Sequence, residues 1–115
     1  MILDDDNTVC SRIREERNEY FKNICQKTFF DALHILLTSE LYRRCNTRST
    51  QEYAKQFISY HISEHIHELP LPIKSAEVIC DESINTQTII ETDHLTYHIK
   101  VHIVPDIYFT IKYVV

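Results

Sequence analysis

AEVICDESINTQTIIETDHLTYHIKVHIVPDIYFTIKYVV, residues 76–115, is the stretch that decides the fold. It opens on a short strand, 75–80, and passes through a polar connection from Asp81 to Thr92 with extended pieces around 88–90. Residues 94–104 then alternate without a break. Leu95, Tyr97, Ile99, Val101 and Ile103 point one way, and His94, Thr96, His98, Lys100 and His102 the other. Strict alternation describes a strand with one buried and one wet face, as in an antiparallel sheet. Pro105-Asp106 interrupts it, and Ile107–Val115 reads as a last strand running to the end of the sequence. A final strand with no polar tail is a device for pairing with a neighbouring molecule, so assembly is expected rather than catalysis.

The residues before this stretch read as helical. Positions 1–8 are expected to form an extended acidic arm, with Asn7, Thr8 or Ser11 available to cap a helix beginning near Val9. Ile13, Tyr20, Phe21, Ile24 and Cys25 have helical spacing, and the pattern continues through Phe29, Phe30, Leu33, Leu36, Leu37 and Leu41. One long helix over 9–43, or two helices split near Gln26–Thr28, both satisfy it. After a loop at 45–50, Ser49 or Thr50 is the expected cap of a second helix, with Ser49 and Glu52 at capping-box spacing. Its stripe is Tyr53, Phe57, Ile58, His61, Ile62 and Ile66, and Leu69-Pro70-Leu71-Pro72 ends it. The expected fold is therefore α+β: one domain over 1–115, with helices at 9–68 packed on a small sheet from 75–115.

Composition narrows the function. The net charge is −5, and the basic residues are scattered apart from Arg43, Arg44 and Arg48, so direct nucleic-acid binding is not expected. No apolar run approaches a membrane span, and the acidic start lacks the features of a secretory signal. Glycine is absent, where an average chain of this size carries about eight. Glycine-rich phosphate loops are thereby excluded, and turns must use Asn, Asp and Pro. Cys10, Cys25, Cys45 and Cys80 are widely spaced and read as reduced, structural thiols.

No catalytic or metal-binding residue, and no cofactor, is assigned. His61 and His65 share a helical face, but the glutamate lies at position 64, out of the H-E-x-x-H order. His94, His98 and His102 fall on one strand face about 13 Å apart and cannot share an ion. If that face is an interface, its histidines would make assembly sensitive to mild acid. Asp81 and Glu82 are adjacent carboxylates in a turn, expected to cap backbone amides and stay solvated. The arginine cluster is expected to be a solvated helix end or to meet an acidic partner.

Val78-Ile79-Cys80-Asp81, the pair Asn85-Thr86, Ile89, the strand ending Val104-Pro105 and the closing Tyr108-Phe109-Thr110-Ile111 together resemble the C-terminal region of contractile-tail sheath proteins. The resemblance covers 76–115 most closely and implies that Cys80, Asp81, Asn85, Thr86 and Pro105 are family motif positions. It also implies a structural role in a virion tail assembled in the host cytoplasm, as a sheath-like, sheath-initiator, neck or baseplate protein. Expected partners are other copies of the chain, tail sheath subunits, or other tail or baseplate proteins, joined by strand exchange through Ile107, Phe109, Ile111, Tyr113, Val115, Ile2 and Leu3. The chain departs from the family in its shortness, its lack of glycine, Gln87 after Asn-Thr, and the missing Glu-Pro-Arg signature of sheath initiators. Two other classes remain beside this one: a small adaptor or inhibitor that binds a protein partner without strand exchange, and a metal-dependent enzyme using the histidines.

Overall fold

In the computed structural model, backbone is described for residues 2–42 and 44–115, and side chains from Arg12 onward with Arg43 excepted. The architecture is α+β in two layers, with extents of 56 × 34 × 18 Å. The first layer is a long helical rod, α1 (Ile2–Cys25) and α2 (Asp31–Glu40), followed by α3 (Arg48–His65). The second is a three-stranded antiparallel sheet in the order β1 (Ile73–Ile79), β2 (Thr96–Ile103), β3 (Ile107–Val114). A short helix, α4 (Gln87–Glu91), lies between β1 and β2.

The extended arm expected at 1–8 is instead helical from Ile2. No glycine or proline interrupts residues 2–42, and Asp4, Asp5 and Asp6 sit in the first turns, where negative charge is favoured by the helix dipole. Met1 and the side chains of Ile2 and Leu3 lie outside the described residues.

The rod also settles the alternative left open near residue 26. A single π-helical turn, Gln26–Phe30, joins α1 to α2 without a break, and the backbone on both sides stays right-handed helical. Its cause is legible in the buried residues: Cys25, Phe30, Leu33, Leu37 and Leu41. Helical spacing would place Phe29 four residues after Cys25, but the fully buried ring is Phe30. The wider turn absorbs the extra residue and keeps both halves facing the sheet. Thr28 Oγ1 donates to the Ile24 carbonyl at 2.7 Å within it.

α3 starts earlier than its expected caps. Thr47 Oγ1 accepts the Thr50 N–H at 3.2 Å, so Ser49 and Thr50 are already inside the helix. α3 gives way to a 3-10 turn at Ile66–Glu68, and the two prolines follow. The connection expected to contain extended pieces at 88–90 is helical there. It closes on Asp93, whose φ is 61°, with His94 N–H bonded to Ile89 O at 3.3 Å and Asp93 N–H to Ile90 O at 3.1 Å. This is the left-handed helix ending that glycine usually supplies, here made with aspartate.

The expected faces of β2 are observed: Leu95, Tyr97, Ile99, Val101 and Ile103 are all buried. They pack with Val78 and Cys80 near β1, with Ile107, Ile111 and Tyr113 of β3, and with Phe30, Leu33, Leu37, Ala54, Ile58 and Ile62 of the helices. The β2–β3 register runs from Ile103↔Ile107 to Thr96↔Val114 without a bulge. The turn between them contains the cis Val104–Pro105 bond. Polar contacts fasten the rod to the sheet. The Tyr113 hydroxyl donates to Asp31 at 2.7 Å, and His34 Nδ1 lies 2.8 Å from the Tyr97 hydroxyl. The His34 ring stacks on Tyr113 at 4.6 Å.

Candidate assembly surface

Cys80, Asp81, Asn85 and Thr86 converge on the end of β1, whereas Pro105 lies at the opposite end of the sheet, where the Val104 N–H meets the Pro72 carbonyl at 3.1 Å. β1 leaves the sheet after Ile79↔His98. Two residues back along β2, at Thr96, the Asn85 side chain takes the place of a strand residue. Its Oδ1 accepts the Thr96 N–H at 2.8 Å, and its Nδ2 donates to the Thr96 carbonyl at 2.9 Å. The carboxamide thus reproduces the two hydrogen bonds of an antiparallel pair. Nδ2 also donates to the Asp81 carbonyl at 3.1 Å. Asp81 Oδ1 in turn accepts the Ser83 N–H at 2.9 Å and the Ser83 hydroxyl. These bonds, the hydroxyl first, hold the Asp81 carboxyl below its usual range. Thr86 sits at the start of α4.

A second layer of amides was not anticipated from the sequence. Buried Gln51 donates to Asn46 Oδ1 at 2.8 Å, and Asn46 donates to Asn85 Oδ1 at 3.2 Å and to the His94 carbonyl at 2.7 Å. This chain ties the start of α3 to the sheet. The buried cysteines are chemically quiet: burial pushes the Cys25 and Cys80 thiols up to about 11, far from thiolate formation at neutral pH. A cleft of about 450 Å³ next to Cys80 and Asp81 is lined by Arg48, Glu52, Lys55 and Glu82, side chains of both signs with no convergent set.

The strand proposed for exchange is placed as follows. Val115 N–H donates to Leu95 O at 2.8 Å, across the continuation of the β2–β3 register. In an antiparallel pair, successive residues turn their main-chain groups to alternate sides. Ile107, Phe109, Ile111, Tyr113 and Val115 therefore direct theirs to β2 of the same chain. Ile107, Ile111 and Tyr113 also bury their side chains. The outward groups belong to Tyr108, Thr110, Lys112 and Val114. Asn18 Nδ2 occupies the Tyr108 carbonyl at 3.3 Å, with Arg17 on Asp106 at 3.2 Å beside it. Among the described residues, no strand pairs with this outer edge.

The outer face of the sheet is the other open surface. Cross-strand register sets Ser75, His102 and Tyr108 in one row, then Glu77, Lys100 and Thr110, then Ile79, His98 and Lys112. His102 stacks on Tyr108 at 4.1 Å. Burial, then Lys112 opposite and Lys100 alongside, hold the His98 imidazole below its ordinary value. His34, in the helix–sheet contact, is also lowered, by burial against the opposing effect of Asp31. Both histidines resist protonation more in the folded chain than in the unfolded one. Stability is therefore expected to change little between about pH 7 and pH 8 and to fall as pH drops below about 6.5, because the unfolded chain takes up protons first. Urea midpoints at pH 8 and pH 5 check this; a higher midpoint at pH 5 contradicts it.

The remaining candidates are dispersed. His61 and His65 stack at 6.1 Å, and His65 pairs with Glu68 at 3.2 Å. Among the described residues, no group of His, Cys, Asp and Glu is arranged to hold a metal ion. Arg44 lies over the Tyr53 ring at 4.5 Å, and Arg48 approaches Glu52 at 3.7 Å. Arg43 lies outside the described residues. Among the described residues, no helix is long and apolar enough to cross a membrane. No protein-family model, curated protein or solved structure matches the chain.

Proposed function

We propose that the protein is a structural, non-enzymatic component of a contractile tail, of the sheath-like, sheath-initiator, neck or baseplate kind, and that it joins its neighbours by strand addition. The observation that carries this reading is the open outer edge of β3. Its outward N–H and C=O groups at Thr110, Lys112 and Val114 form a ready acceptor for an extended segment of another subunit. The resemblance over 76–115 supplies the setting. Lys112, exposed on that edge, discourages indiscriminate pairing, as charged edge residues do.

The test uses the double variant Thr110→Pro and Val114→Pro in the full chain. Both N–H groups face outward, so proline there spares the bonds to β2, whereas proline at Ile111 would strike the ladder itself. The expected result is unchanged circular dichroism with self-association, or association with sheath subunits, weakened about tenfold or more. Unchanged association sinks the strand-addition reading. It would favour the adaptor alternative, for which the pairing of β3 with its own β2 already speaks.

A further inference from the structure

The rod and the sheet each leave one face uncovered, and the two faces match. On α1, Ile13 and Tyr20 are 58% and 63% exposed on one helical face, with Glu16 and Arg17 between them, Arg17 being paired with Asp106 at 3.2 Å, and Glu19 to one side. Tyr20 is held at its base by an edge contact to Phe21, ring centroids 5.6 Å apart. On the sheet, Tyr108 and Val114 are 61% and 56% exposed. Next to Tyr108 is a depression of about 350 Å³ lined by Lys100, Val101, Tyr108, Phe109 and Thr110, large enough for an aromatic ring. Lys100 and Lys112 lie on this face as diagonal neighbours, about 7–8 Å apart. Among the described residues of the face, Glu77 is the only carboxylate. Register sets Glu77 opposite Lys100 and His98 opposite Lys112, so Lys112 has no carboxylate across from it. The chain as a whole is acidic, with a net charge of −5, so this face stands out against the rest.

We infer that the outer face of the sheet docks α1 of a second copy of this chain, with Tyr20 seated in the depression beside Tyr108 and Glu16 and Glu19 set against Lys100 and Lys112. The charge match and the paired exposed apolar groups select this occupant. The contact rests on the reading of the protein as a self-assembling subunit, but uses none of the strand-edge hydrogen bonds. Its two patches are different surfaces, so reciprocal docking gives a closed pair and repetition a ring or an open row.

The experiment is sedimentation of the full chain and of two surface variants, Glu16→Lys with Glu19→Lys, and Lys100→Glu with Lys112→Glu. Each variant alone is expected to lose association by about tenfold or more, since like charges then meet across the contact. An equimolar mixture is expected to regain it, because the lysines placed on one α1 meet the glutamates placed on the other sheet face. Tyr20→Ala is expected to weaken association without changing its salt dependence. Wild-type protein that stays monomeric at its solubility limit overturns the proposal. So does association unchanged by the swaps, or loss in both variants without recovery in the mixture. The charge swaps keep the outward N–H groups of Thr110 and Val114, so recovery in the mixture reports on docking alone, whereas the Thr110→Pro and Val114→Pro variant alters both the strand edge and the depression that Thr110 lines.

Discussion

Asn85→Ala is expected to destabilise the chain by roughly 2–4 kcal/mol, visible as a fall in the urea midpoint without a change in helix content before the transition. The carboxamide is buried and holds both main-chain groups of Thr96, the Asp81 carbonyl and Asn46 at once. Alanine leaves the Thr96 N–H and the Asn46 amide without these partners in a place water does not readily reach. Asn85→Asp is expected to be nearly as harmful, since a carboxylate cannot donate to the two carbonyls. If alanine at 85 costs less than about 0.5 kcal/mol, the role of this side chain as a substitute strand residue is wrong.

The second large effect separates two neighbouring rings. Phe30→Ala is expected to cost about 3–5 kcal/mol, the usual range for emptying a buried aromatic site. Phe29→Ala is expected to cost markedly less, on the order of 1 kcal/mol. Phe30 is fully buried, whereas Phe29 lies at the margin of the cluster and meets Phe30 edge-on at 5.0 Å. An uninterrupted α-helix would reverse the order, because Phe29 then follows Cys25 by four residues. Thermal or urea unfolding of the two variants therefore reports directly on the π turn, and equal losses would argue against it.

The sheet was the most legible part of the molecule. Alternation from Leu95 to Ile103 gives its faces, and Pro105-Asp106 gives the turn. These signals are local and repeat every second residue, so little else competes with them. The long rod was half legible: apolar spacing marks its existence, but the step of five from Cys25 to Phe30 reads equally well as a break. The start of α3 was misplaced because Thr47, Ser49 and Thr50 are all good caps, and only tertiary position selects among them. The amide chain from Gln51 through Asn46 to Asn85 could not be read, since its members are distant in sequence and each looks like an ordinary polar loop residue. The parity of β3 was hidden for a related reason. Which residues turn their main-chain groups outward depends on the register with β2, fixed by the pairing and not by side-chain pattern.

The left-handed residue at Asp93 has a bearing on chemical ageing. Aspartate and asparagine rearrange through cyclic imides fastest when glycine follows them, because nothing then hinders attack by the next amide nitrogen. Here the sharp turn is made by Asp93 itself with His94 after it, and Asn85 is followed by Thr86. A chain that builds its tight corners this way keeps its backbone free of the most perishable dipeptides.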